Sequence, residues 1–210
     1  MASIALVHGI GGSAATMRPL ADLLVGRGHD VRSVTLPGHG TVPEDLTGVV
    51  WSEWLAVVPS VDVLVGQSMG ATLALAAASP GATRLVVAIN PPIGDEDALE
   101  GLEWRQSRGH DWLDTPEAAP GDESYTRLPI TALIEMVRGV LATRLETVTV
   151  PVLLAVGALD DSSDPAAIDA LAARIGGPVA RLVLPNSGHV ATLGPDLPLL
   201  VDTLEQLLQQ

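Results

Sequence analysis

Val61-Asp62-Val63-Leu64-Val65-Gly66-Gln67-Ser68-Met69-Gly70-Ala71-Thr72-Leu73-Ala74-Leu75-Ala76-Ala77-Ala78 is the stretch whose reading decides the fold. Its valine-rich start favours a buried strand and its Ala/Leu-rich end favours a helix, so the middle must be a tight turn. A turn that sharp strains the backbone of Ser68 and brings neighbouring chain very close. Glycine is then needed at positions 66 and 70, where a β-carbon would clash. Ser68 also opens a helix, near unpaired N–H groups and the positive end of the helix dipole, where a developing oxyanion is favoured. The alternative is that Ser68 simply caps the helix. A cap does not require glycine on both sides.

Outward from this stretch, short β-rich runs alternate with longer Ala/Leu-rich segments, the pattern of a parallel sheet covered by helices. Strands are expected at Ile4 to His8, Asp30 to Thr35, Val61 to Val65, Arg84 to Asn90, Val150 to Val156 and Ala180 to Leu184. Each reads as too buried for clean alternation of apolar and polar residues. Helices are expected at Ala14 to Gly26, Trp51 to Val58, Met69 to Ala78, Pro165 to Ile175 and Ala191 to Leu208. Residues 91–149 break the rhythm. They hold Pro92, Gly94, Pro116, Pro120 and Gly121, with a helical pattern from Pro129 to Leu145. A structureless loop of that length is out of place in a compact domain. The expectation is a single α/β domain over 1–210, with a mainly parallel sheet of about six strands, helices on both faces and a helical cap at 91–149.

Three further segments carry candidate chemistry. His8-Gly9-Ile10-Gly11-Gly12 follows the first strand, where glycines let backbone N–H groups face a ligand. With Ser68 as nucleophile, the oxyanion donors are expected to be the backbone N–H groups of Met69 and Ile10. A plain glycine turn is one rival reading and a dinucleotide loop another. The dinucleotide pattern calls for a third glycine where Ala14 stands, and for an acidic residue after Val34-Thr35-Leu36 that is missing. Asn186-Ser187-Gly188-His189 follows the last strand, so a loop can bring His189 over the strand ends. An imidazole, with an ordinary pKa near 6.5, can take a serine proton and return it to a leaving group. His8, His29, His39 and His110 lack that setting. The acid should follow the preceding strand, Val150 to Val156, and Asp160, Asp161 and Asp164 are the candidates. Asp160 is preferred because the turn beginning at Gly157 leaves it nearest the sheet edge, while Asp161 and Asp164 precede Pro165 and could cap its helix.

Composition narrows the field. The chain has 25 acidic residues against 11 basic ones, all arginine, for a net charge of −14, so a nucleic acid would meet general repulsion. Scattered acidic residues on solvated faces account for that charge. With no cysteine there is no disulfide, thiolate metal site or cysteine nucleophile. The most apolar stretch, Val61 to Ala78, is interrupted by Asp62, Gln67 and Ser68, so no transmembrane span is expected. Met1-Ala2-Ser3 runs straight into Ile4-Ala5-Leu6-Val7 without the features of a secretory signal, which makes a cytoplasmic location the expectation.

Taken together, these residues resemble the α/β-hydrolase superfamily from end to end, and within it the small carboxylesterases and monoacylglycerol lipases. The resemblance is carried by His8-Gly9-Ile10-Gly11-Gly12, Leu36-Pro37-Gly38-His39-Gly40 with Trp51-Ser52-Glu53-Trp54, Gly66-Gln67-Ser68-Met69-Gly70, Gly157-Ala158-Leu159-Asp160 and Ser187-Gly188-His189. The chain order Ser68, Asp160, His189 is that superfamily's order of nucleophile, acid and base. The resemblance implies ester hydrolysis through an acyl-enzyme on Ser68, with no metal or organic cofactor, and the limited room left by a small cap makes a small-molecule ester of short or medium acyl chain the expectation. Lactone hydrolysis, peracid formation, acyl transfer, amide cleavage and C–C hydrolysis use the same parts, and a non-catalytic small-molecule binder could keep the fold. Many relatives carry an antiparallel strand pair ahead of the first strand found here. With no Phe, one Tyr and four Trp, the acyl pocket must be mainly aliphatic. In the insertion Leu99, Leu102, Trp104, Trp112, Leu133, Ile134, Met136 and Val137 could wall such a pocket or pack the cap on the core. Trp51 and Trp54, one helical turn apart, read as core-facing anchors.

Overall fold

Six of the apolar runs pair into one sheet, and its central strands, β-rich and buried along their whole length, must be covered on both faces. The structure, a computed structural model, describes residues 1–115, 122–160 and 165–209. The strands are β1 (Ser3–Val7), β2 (Asp30–Val34), β3 (Val63–Gln67), β4 (Leu85–Ile89), β7 (Val152–Gly157) and β8 (Val179–Leu184), with β5 and β6 in the insertion. Their order across the sheet is β2-β1-β3-β4-β7-β8, and every pairing is parallel. β3 runs to Gln67, two residues beyond the expected end, and stops directly before Ser68.

The pleat sends alternate residues to opposite faces. Ile4 and Leu6 pack with Leu20 and Leu24 of α1 (Arg18–Gly26) and Leu200 and Leu204 of α7 (Leu197–Leu208). Ala5, with Leu64 and Val86, packs with Ala71, Ala74 and Leu75 of α3 (Met69–Ala77) and Leu171 of α6 (Pro165–Arg174). Each leucine buried in this way contributes about 1.5–3 kcal/mol of transfer free energy. The edge strands depart from the expected unbroken burial. Asp30 and Arg32 of β2 and Arg181 and Val183 of β8 are exposed, because an edge strand has a neighbour on one side alone.

Proline divides two of the expected helices. The segment from Ala14 begins as a 3-10 turn, Ala14–Met17, whose N-cap Ser13 accepts a hydrogen bond from Ala15 N–H. Pro19 cannot continue that turn and instead stands in the first turn of α1, where its missing N–H costs nothing. Likewise Ala191–Leu193 is a 3-10 turn, Gly194-Pro195 interrupts, and α7 starts afresh at Leu197 with Pro198 in its first turn.

The insertion contains α4 (Glu96–Ser107), capped by Asp95, then an antiparallel ribbon of β5 (Trp112–Asp114) and β6 (Arg127–Pro129), and then α5 (Ile130–Ala142). The ribbon was not expected, and it takes Pro129 out of the expected Pro129 to Leu145 helix. Leu145 stands in a separate 3-10 turn, Leu145–Thr147. Leu128, Ala132 and Leu133 pack on Leu36, Leu46, Trp54, Met69 and Leu73 at the sheet edge. Trp54, in α2 (Trp51–Ala56), is fully buried and donates its indole N–H to Pro37 O (3.0 Å). Trp51 lies so close to α5 that a β-carbon at Gly139 would stand 1.9 Å from its ring. Leu133 and Ile134 are buried, and Leu102 and Met136 pack against the same cluster. Trp104 does not join them. It is 61% exposed, with the Arg108 guanidinium over its ring.

The single tyrosine fastens the insertion to the body. Tyr125 donates its backbone N–H to Gly11 O (2.9 Å), and its phenol accepts from Thr41 N–H (3.0 Å) and donates to Gly38 O (3.2 Å). Among the described residues no helix is long and apolar enough to cross a membrane.

Candidate active site

Between β3 and α3 the chain turns at Ser68 with φ 54° and ψ −126°, a left-handed conformation that costs a non-glycine residue about 1–3 kcal/mol. Close packing holds it there. A β-carbon at Gly66 would lie 2.0 Å from Gly70 O, and one at Gly70 would lie 2.2 Å from Val7 O. Ser68 N–H donates to Ile89 O of β4 (2.9 Å). Although Ser68 is the N-cap residue of α3, its side chain makes no capping bond. The hydroxyl is directed to another partner.

That partner is His189. Ser68 Oγ lies 3.1 Å from His189 Nε2, and His189 Nδ1 lies 3.0 Å from Asp160 Oδ2. The tautomer that satisfies both contacts carries its proton on Nδ1, donates it to Asp160 and accepts from the serine at Nε2. The Asp160 side chain is fully buried, whereas the imidazole is 39% exposed, so the carboxylate is shielded from water and the ring is not. Asp161 and Asp164, the other acid candidates, lie outside the described residues.

Backbone packing joins the turn that carries Asp160 to the loop that carries His189. Leu159 N–H donates to Ser187 O (3.0 Å), and a β-carbon at Gly157 would stand 2.4 Å from that same oxygen. The His189 loop is held at two further points that sequence reasoning missed. Asp196 accepts from Asn186 N–H (2.7 Å), Asn186 Nδ2 (3.0 Å) and Ser187 Oγ (2.7 Å). Burial opposes its ionisation, but the hydrogen bonds from Asn186 and Ser187 outweigh that and hold its carboxyl below the usual range. Gln67, buried beside Ser68, accepts from Thr192 N–H (3.3 Å) and Thr192 Oγ1 (2.6 Å). A buried glutamine inside the elbow pentapeptide was the visible signal. Its partner, 125 residues away, was not.

On the other side of Ser68 runs the glycine loop. A β-carbon on Gly9 would stand 3.0 Å from Ser68 Cβ and 3.5 Å from Ser68 Oγ, so the loop lies directly against the hydroxyl. Ile10 follows inside the turn closed by Gly12 N–H to Gly9 O (3.2 Å), and Met69 is the first residue of α3. His8 anchors this loop, donating from Nδ1 to Gly9 O (2.7 Å) and accepting at Nε2 from Leu36 N–H (3.1 Å). Both nitrogens are engaged in the neutral form.

Burial, joined by the neighbouring His39, lowers the His8 pKa to about 3, against the pull of the Gly9 carbonyl. Burial likewise lowers that of His39 to about 4, against the carbonyls of Pro37 and Leu36. Both folded-state values lie below the ordinary 6.5 of an unfolded chain, so the unfolded state binds the extra protons. The stability they contribute is present above pH 6.5 and is lost as pH falls toward about 4 for His39 and about 3 for His8. Each costs close to 1.4 kcal/mol per pH unit well inside its window. Denaturant melts at pH 6 and pH 5 are expected to differ by about 2 kcal/mol or more in unfolding free energy. Equal midpoints at the two pH values would contradict this account.

Among the described residues no three His, Asp or Glu side chains are grouped so as to hold a metal ion. The sequence profile of the alpha/beta hydrolase family matches residues 4–198. A thermostable monoacylglycerol lipase of Bacillus sp. (strain H-257) is 29% identical over 220 residues, covering 95% of this chain and 87% of that protein. A solved structure from work on LipS and LipT, two metagenome-derived lipolytic enzymes, superposes with a TM-score of 0.86 at 25% identity, covering 99% of this chain and 94% of the other. The monoacylglycerol lipase of Paleococcus ferrophilus superposes at 0.75 with 18% identity, covering 99% and 94%, a likeness of fold. The profile match spans both halves of the sheet and the segments that carry Ser68, Asp160 and His189, and by it this chain belongs to the alpha/beta hydrolase family.

Proposed function

We propose that the chain is a serine hydrolase that cleaves carboxylic esters of short or medium acyl chain, with Ser68 as nucleophile, His189 as general base and Asp160 as the acid that orients it. The observation that carries this reading is the continuous relay from Ser68 Oγ through both ring nitrogens of His189 to Asp160. The serine oxygen attacks the ester carbonyl as its proton passes to His189 Nε2, and the buried Asp160 carboxylate stabilises the imidazolium. The carbonyl oxygen becomes an oxyanion that accepts from the backbone N–H groups of Ile10 and Met69. The tetrahedral species collapses as His189 protonates the departing alcohol, which leaves an acyl group on Ser68. Water, deprotonated by the same imidazole, attacks that acyl group, and the second tetrahedral species collapses as His189 returns the proton to Ser68 Oγ and the acid departs.

His189 carries each proton that is transferred in this cycle, so the scheme calls on no metal or organic cofactor. The lipolytic relatives favour esters over the other substrates of such a site. The insertion over 91–149, pinned by Tyr125, favours a confined acyl site. A fluorophosphonate probe is expected to label the protein at Ser68, read by peptide mass spectrometry, and not to label Ser68→Ala. Among nitrophenyl butyrate, octanoate and palmitate, turnover is expected to be lowest with palmitate. Fastest turnover of palmitate would overturn the chain-length assignment, and absence of labelling would overturn the nucleophile.

A further inference from the structure

Asn90 directly follows β4, whose last residue, Ile89, receives the Ser68 N–H. It is fully buried, and among the described residues it and Ser68 are the only non-glycine residues at positive φ. At φ 44° the backbone would favour glycine, though asparagine tolerates the region better than most residues. Backbone preference therefore does not explain why asparagine stands there in place of glycine. Its side chain does.

The amide touches both halves of the relay. Asn90 Oδ1 accepts from Gly157 N–H (2.8 Å), at the end of β7 where the turn to Asp160 begins. Asp160 N–H in turn donates to Gly157 O (3.1 Å). Asn90 Nδ2 donates to Gly188 O (3.0 Å) and to His189 O (2.8 Å), the carbonyl of the proposed base itself. Its backbone N–H donates to Ala155 O of β7 (2.9 Å). Only one orientation of the amide places both donors on carbonyls and the acceptor on an N–H, so the side chain is locked as well as satisfied. In a buried site every one of these bonds, if lost, leaves a polar group without water to replace it.

We propose that Asn90 is a positioning residue: its one planar amide sets the separation of the acid turn and the base loop, so that His189 meets Asp160 and Ser68 at the same time. This inference rests on the serine-hydrolase reading above. Asn90 touches neither substrate nor the reacting atoms, so it acts on the rate through the geometry of His189.

The test compares wild type, Asn90→Gly and Asn90→Asp on nitrophenyl butyrate, with sites counted by fluorophosphonate titration so that only folded, reactive protein enters the rate. Glycine keeps the left-handed backbone and removes all three side-chain bonds. Aspartate keeps the acceptor for Gly157 N–H but turns a carboxylate toward two carbonyl oxygens. For either variant kcat per titrated site is expected to fall about 10²-fold with KM little changed, as for a misplaced catalytic group. The low-field proton resonance of the His189–Asp160 hydrogen bond is expected to move or vanish, and the acid limb of the kcat/KM profile to shift. A merely structural role would lower the yield of titratable sites and move none of these. If Asn90→Gly gives no titratable protein, Asn90→Asp decides by the same readouts. Wild-type kcat per site with an unmoved pH profile overturns the inference while Ser68→Ala remains inactive. An active Ser68→Ala would overturn the serine reading instead, and this inference with it.

Discussion

Ser68→Ala is expected to lower kcat/KM toward a nitrophenyl ester by about 10⁵-fold or more while leaving the melting temperature and circular dichroism spectrum unchanged. The hydroxyl makes its bond to His189 and no capping bond to α3, so the helix loses nothing on its removal. Alanine does keep the strained φ of 54°, because that conformation is set by the approach of Gly66 and Gly70 to neighbouring backbone. His189→Ala should cost about as much, and the double variant little more than either, because nucleophile and base act as one unit. Asp160→Asn should cost roughly 10⁴-fold, since an amide can hold the imidazole in the wrong tautomer. Steady-state kinetics on the four variants would check all of this. Additive losses in the double variant would show that the two side chains do not share one step.

Gly70→Ala is expected to destabilise the fold severely. A β-carbon there would lie 2.2 Å from Val7 O and 2.5 Å from His8 O, and both are backbone atoms. Val7 is paired in register with Gly66, so β1 cannot retreat without breaking the centre of the sheet. A clash that cannot relax belongs with the largest single-residue effects, about 4 kcal/mol or more, against a typical total stability of 5–15 kcal/mol. Gly101→Ala is the control. Nothing lies within 4 Å of a β-carbon there, mid-way along α4, and the change should stabilise by about 0.5–1 kcal/mol. Denaturant midpoints of the two variants would settle the contrast. A Gly70→Ala protein within 1 kcal/mol of wild type would show that the elbow is looser than its packing implies.

The elbow was legible because its determinants are adjacent in the chain: a β-rich run, two glycines and an alanine-leucine helix within 18 residues. The positions of Asp160 and His189 were legible for a related reason, since each follows a strand whose apolar run ends at a glycine or proline turn. What sits behind them was hidden. Asn90 reaches His189 across 99 residues and Gln67 reaches Thr192 across 125, and local pattern carries no trace of such distances. The ribbon of β5 and β6 escaped because three-residue strands are too short to show a period. α4 buries none of its residues, so it presents no apolar stripe to read, and the exposure of Trp104 followed from the same fact. Proline explains the split of both long helices, and there the signal was present in Pro19 and in Gly194-Pro195 with Pro198.

Because Tyr125 is the one phenol in the chain and its hydroxyl bridges Thr41 and Gly38, it is a reporter built into the seam between insertion and body. Its near-ultraviolet absorbance, free of overlap from any second tyrosine once the tryptophan contribution is subtracted, reads out whether that seam is closed, with no dye attached.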